Sequence, residues 1–172
     1  MAAVTAPAGE RGHLQAREPA GILSREADMA EMEMPQRIEN PTLDDYLAVM
    51  SKVVFQSGMS WRMVDTKWPE IREAMDGFKV RTVAGYGPAD IDRLAADRRV
   101  IRNRRKLEAI AGNAARLLEL DAEHGSFQAY LRSHDGFEVL VKDLRRQFKF
   151  LGEIGCHYFL FVVGEKVPPH HP

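Results

Sequence analysis

Three stretches of this chain place groups that could bind a phosphate or a planar ring. In residues 98–115, RRVIRNRRKLEAIAGNAA, six of the nine positions from Arg98 to Lys106 are Lys or Arg. Leu107, Ile110, Ala111 and Ala114 then follow at helical spacing. Positive charge at the start of a helix, beside its free amide N–H groups, suits an anion. Arg102, Arg104 and Arg105 are therefore candidate phosphate ligands, although the same run also reads as a solvated helix face. The second stretch, QFKFLGEIG at 147–155, joins two helical segments through a tight turn. The amides of Phe150, Leu151 and Gly152 could form a nest for one phosphate there, assisted by Lys149 and by Lys142, Arg145 and Arg146 upstream. A plain helical hairpin is the alternative. In the third stretch, QSGMSW at 56–61, a Gly-containing link carries Met59 and then Trp61. Gly58 and Met59 could drive an apolar wedge into a base stack, with Trp61 beneath a planar ligand. The seven-residue spacing of Trp61 and Trp68 equally suits two core residues.

Other chemistries find little support. There is no Cys-x-x-Cys or His-x-x-x-His pair, no P-loop, no G-x-G-x-x-G and no G-x-S-x-G. No metal site and no cofactor are expected. Asp44 and Asp45 read as helix N-terminal charge, and the adjacent His170 and His171 as solvated residues. The single cysteine, Cys156, excludes an internal disulfide framework and fits a reducing, cytoplasmic setting.

The elements that position these groups are helical throughout. Residues 1–38 lack a sustained apolar period and read as a flexible acidic leader, with one short helix near 25–32. The body, 39–172, opens at Asn40-Pro41-Thr42, with Thr42 as cap. Helices are expected from about 43 to 56, from 61 to Gly77, over 80–86, from Pro88, over 103–123, after Ser126, over 137–146, and from Gly152 to Val163, where Gly164 stops the chain. No strand alternation is found, so the fold class is all-α. Hydrophobic residues make up 45 % and charged residues 28 % of the 172 positions, which is ordinary for a globular domain. No apolar run is long enough to cross a membrane, and no membrane partner is expected. Charge is uneven: residues 1–45 carry four Arg against nine Asp and Glu, leaving twenty positive against sixteen negative beyond. The body is thus mildly basic despite a net charge of −1.

In sequence, QSGMSW, DGF, IRNRRKLEAIAGNA, GSFQAYL and KDLRRQFKFLGEIG resemble the bacterial DNA-3-methyladenine glycosylase I family over residues 43–164. That resemblance implies an all-α, helix-hairpin-helix glycosylase domain that binds double-stranded DNA as a monomer, everts a damaged base and hydrolyses its N-glycosidic bond. It makes residues 148–152 the phosphate-gripping hairpin and Gly58 and Met59 the wedge. Trp61 becomes the stacking aromatic, with Gln56 beside it as a base ligand. The family's N-terminal Cys-containing zinc motif and its Tyr-His-Asp-x-Glu-Trp-Gly motif are not found here. Its base-recognising Glu corresponds to Val53, and the Asp of the wider superfamily would fall near 167–169, among Pro and His. No catalytic base is identified. A catalytically silent DNA-binding or protein-interaction module on the same scaffold is the alternative function.

Overall fold

The computed structural model describes residues 35–169. The acidic leader up to Met34, its expected short helix, and His170 and His171 lie outside the described residues. Among the described residues all regular structure is helical.

Local capping fixes most helix ends. Helix α1 (Leu43–Gln56) starts at Thr42 in a reciprocal capping box: Asp45 N donates to Thr42 Oγ1 at 3.2 Å, and Thr42 N donates to the Asp45 carboxylate at 2.9 Å. Helix α2 spans Trp61–Ala74 and stops short of the expected Gly77. The chain instead passes through a one-turn 3₁₀ segment, Asp76–Phe78, in which all three residues have positive φ. Asp44 is more than first-turn charge, because its Oδ1 accepts from Val80 N at 2.8 Å and so fastens the start of α3 (Val80–Ala84) to α1. Helix α4 covers Pro88–Ala95 and helix α5 Arg104–His124. The α5 start is capped by Asn103, and its end by Gly125 at φ +82°, where a side chain would be strained. Ser126 caps the short α6 (Phe127–Leu131); α7 (Phe137–Gln147) and α8 (Glu153–Val162) complete the domain.

Helix α1 is the most buried element, with Leu47, Met50, Val54 and Phe55 fully enclosed. It packs on α2, α5 and α8, while α5 also holds α3, α4 and α6, and α7 pairs with α8. Each enclosed aliphatic or aromatic side chain contributes about 1.5–3 kcal/mol of transfer free energy. Ahead of Asn40 the chain is already tied down. Ile38 N donates to Val162 O at 2.7 Å, and Arg37 donates to Phe161 O and Glu165 O at 3.1 and 2.6 Å. These bonds satisfy carbonyls left free around the end of α8. The consequence for function is geometric: α1 ends, α8 begins and α5 begins on neighbouring parts of the molecule, so three candidate stretches lie close together.

Candidate functional site

The turn between α7 and α8 is built from the core outward. Phe148 and Leu151 are 3 % and 5 % exposed and anchor it. Lys149 and Gly152 point outward, and Phe150 is 37 % exposed. Phe150 has φ +60°, a left-handed conformation costing an L-residue about 1–2 kcal/mol, which the two buried neighbours offset. Phe148 N donates to Leu144 O at 3.0 Å and Lys149 N to Asn113 Oδ1 at 2.9 Å. The next three amides, on Phe150, Leu151 and Gly152, have no acceptor among the described residues. They open α8 from its N-terminal side, where the helix dipole favours an anion.

These amides border an open groove of about 970 Å³ whose cationic lining comes from Lys142, Arg145, Arg146 and Lys149. Arg146 is 3.5 Å from Asp143; the other three cations have no carboxylate partner among the described residues. Glu138 and Glu153 also border the groove, leaving a net positive lining. Its lining also includes Ser57, from the loop between α1 and α2. Thus the phosphate-type turn and the wedge-type loop, which are far apart in sequence, share one groove.

In that loop Gly58 is exposed at φ +72°, the left-handed turn for which a glycine is suited, and Met59 is half-buried. Met59 N donates to Gln56 O at 3.0 Å. Trp61, which opens α2, is half-buried and meets Tyr158 of α8 edge-on, with centroids 5.0 Å apart. Trp68 stacks on Phe78 at 5.1 Å instead, so the two indoles have separate roles. Burial, and secondarily Asp65, push the Tyr158 hydroxyl to higher pKa, keeping it protonated at neutral pH. Val53 is buried, and its Cγ1 lies 2.6 Å from where a Cβ on Gly155 would stand. Gln56 is 3 % exposed, and neither Oε1 nor Nε2 of its carboxamide has a partner among the described residues. Enclosing such a group without a partner costs about 1–3 kcal/mol.

At the start of α5 the positive charge is thinner than the sequence suggests. Arg99 binds Asp97 at 2.8 Å and approaches Glu73, and Arg104 is paired with Asp92. Lys106 turns inward and is 4 % exposed, with Nζ donating to Phe55 O at 3.1 Å and Ser57 O at 2.6 Å. Arg98, Arg102 and Arg105 remain exposed without an ion-pair partner among the described residues. Lys106, Asn113 and Tyr158 are the residues that sequence reasoning missed. For the first two a signal existed, since both are polar residues standing on the apolar stripe of α5.

A further polar network joins α7 to α6 and the turn after it. Asp143 accepts from Tyr130 Oη at 2.7 Å and sits 3.0 Å from His134 Nε2. Burial pushes its carboxyl pKa up, but the bonds from Tyr130, His134 and Gln147 outweigh it and hold the pKa below the usual range. Among the described residues no group of three or more His, Cys, Asp and Glu is placed to hold a metal ion. Cys156 is fully buried, its thiol pushed up to about 11 by burial, so it is a poor ligand. Among the described residues there is no donor set for the zinc that the resemblance implies. No helix among the described residues is long and apolar enough to cross a membrane.

Comparison with known proteins bears on the whole arrangement. Residues 44–149 match the family model described as methyladenine glycosylase. The chain is 28 % identical over 130 residues to the DNA-3-methyladenine glycosylase of Haemophilus influenzae, covering 63 % of this chain and 70 % of that protein. The DNA-3-methyladenine glycosylase 1 of Escherichia coli gives the same identity and coverage. A solved structure of 3-methyladenine DNA glycosylase I from Staphylococcus aureus superposes with a TM-score of 0.65 at 23 % identity, covering 87 % of each chain, which shows a shared fold.

Proposed function

This chain belongs to the methyladenine glycosylase family, and from that footing we propose that it is a DNA glycosylase of base-excision repair, hydrolysing the N-glycosidic bond of an alkylated base such as 3-methyladenine in double-stranded DNA. The observation that carries this reading is the shared groove, whose lining combines the free amides and cations of the turn between α7 and α8 with Ser57, the residue directly before Gly58 and Met59. In this reading one DNA strand lies in the groove. Phe150, Leu151 and Gly152 donate their amides to a phosphate, and Lys149 adds charge. Arg102 and Arg105, with Arg104 held back by Asp92, meet the backbone further along. Met59 enters the base stack as the target nucleotide turns out, at an unstacking cost of a few kcal/mol that is smallest for a damaged base.

The everted base stacks on Trp61, and Gln56, whose enclosed carboxamide has no partner among the described residues, turns outward to meet its edge. An alkylated purine cation is already a good leaving group. Water can displace it once the base is held and normal bases are excluded, so the chain needs less acid–base machinery than an enzyme acting on a neutral base. Val53, where the resembling family has Glu, leaves the slot without a carboxylate for the cationic base. Selectivity then rests on stacking and shape. The protein acts as a monomer and without a cofactor.

The test is incubation of the purified protein with methylated duplex DNA, followed by identification of the free bases. Release of 3-methyladenine or another alkylated purine is expected. Intact duplex binding without any released base would replace this reading with a catalytically silent DNA-binding module.

A further inference from the structure

Two polar side chains stand on the inward stripe of α5 among Leu107, Ile110, Ala114 and Leu117. Lys106 is 4 % exposed and Asn113 is 2 % exposed. They are seven residues apart, so they leave the helix on nearly the same side, about 10 Å apart along its axis. Lys106 Nζ donates to Phe55 O and Ser57 O, at the end of α1 and the first position of the wedge loop. Asn113 engages the Lys149 peptide in both directions: it accepts from Lys149 N at 2.9 Å and donates to Lys149 O at 3.1 Å. Each residue therefore binds the backbone of one of the two turns that border the groove.

Both side chains are enclosed in the core, and enclosing an ammonium group is costly. Burial pushes the Lys106 pKa down, while its two carbonyl acceptors favour the charged form. Those carbonyls lie where α1 runs out of intrahelical donors. The Lys149 peptide sits immediately before the strained Phe150, where the turn most needs an external hold.

We infer that α5 sets the separation and orientation of the two DNA-facing turns, with Lys106 positioning the wedge loop and Asn113 positioning the phosphate-binding turn. This rests on reading the groove as the DNA site. Neither residue touches substrate, so both are positioning residues. Their loss has opposite signatures. Without Lys106 the duplex is still gripped, but the wedge and Trp61 are misplaced, and a shift of about 1 Å near the reacting centre can cost a hundredfold in rate. Without Asn113 the turn amides lose their aim. Affinity then falls for every duplex, because phosphate contacts position without reading sequence.

The test uses the full chain with Lys106→Met and Asn113→Leu, which keep volume and remove the bonds. Amide hydrogen exchange of the free protein is read first. Lys106→Met is expected to speed exchange of the bonded amides of Ser57 and Met59 and leave those of Phe148 and Lys149 at wild-type rates; Asn113→Leu is expected to do the reverse. Asn113→Asp, which still accepts from Lys149 N but no longer donates to its carbonyl, is expected to fall between wild type and Asn113→Leu. Duplex binding and single-turnover base release then follow: Lys106→Met should lower release about a hundredfold with affinity near wild type, and Asn113→Leu should weaken affinity with release at saturation largely retained. Unchanged exchange in both turns would overturn the inference, as would equal loosening of both turns by either variant. Because exchange is read without DNA, a wild-type protein that neither bound nor cut DNA would overturn the functional reading while exchange still decided the positioning roles.

Discussion

At the scale of single residues, Trp61 and Gly155 are the positions where the proposed slot is most sensitive. Trp61 is half-buried and braced edge-on by Tyr158, leaving part of the indole available. Trp61→Ala is expected to remove about 1–3 kcal/mol of base stacking and to cut base release strongly, while affinity for undamaged duplex changes little. Equal loss of both, in parallel binding and single-turnover assays, would show that Trp61 only maintains the fold. Gly155 is required by close approach: a Cβ there would meet Val53 Cγ1 at 2.6 Å, and a β-branched side chain has little freedom to move aside. Gly155→Ala is expected to destabilise the protein by about 1–3 kcal/mol through overpacking, read by urea denaturation. An unchanged midpoint would mean that α1 and α8 have slack between them. The contact between Val53 and Gly155 was not legible in the sequence, because it joins positions far apart in the chain and neither residue type announces a partner.

At the scale of elements, the helices were largely legible because their ends are fixed locally. Thr42, Asn103 and Ser126 each accept from the backbone of their own first turn, and Gly125 and Gly164 supply the positive φ that ends α5 and follows α8. The end of α2 was misjudged at Gly77, since three consecutive positive-φ residues after Met75 carry no comparable local signal. The charge at the start of α5 was legible as composition but not as geometry. Lys106 lies on the buried side, Arg99 is paired chiefly with its neighbour Asp97, and Arg104 is neutralised by Asp92 on α4. This predicts a division within the cluster. Arg102→Ala and Arg105→Ala should each reduce the salt slope of duplex binding by about 1 and weaken all sequences alike. Arg104→Ala should do less, because its charge is already paired with Asp92. Equal effects from all three in a salt titration would contradict the assignment.

At the scale of the whole molecule, a mildly basic body built around α1 and α5 holds its polar groups in defined states. All four tyrosines have raised pKa values: Tyr46 is pushed up to about 12 by burial and then Glu165, and Tyr86, Tyr130 and Tyr158 shift the same way with burial first. A raised folded-state pKa gives stability that is complete below the unfolded value near 10 and is lost as pH rises towards the folded value. Tyrosinate absorbance should therefore stay low beyond pH 10 while the chain is folded, then rise together with unfolding. Ionisation near 10 with the helical signal intact would contradict this. The family could be read from the sequence because its motifs are contiguous, whereas the groove joining Ser57 to residues 148–153 required the folded chain. The central claim is that this groove clamps a DNA backbone between its two turns. An NMR titration with a short duplex carrying a stable abasic analogue tests it most directly. The account predicts that the amides of Phe150, Leu151 and Gly152, the backbone of Gly58 and Met59, and the Trp61 indole shift together and saturate at one stoichiometry. Saturable shifts confined to other surfaces, with these signals unmoved, would contradict it.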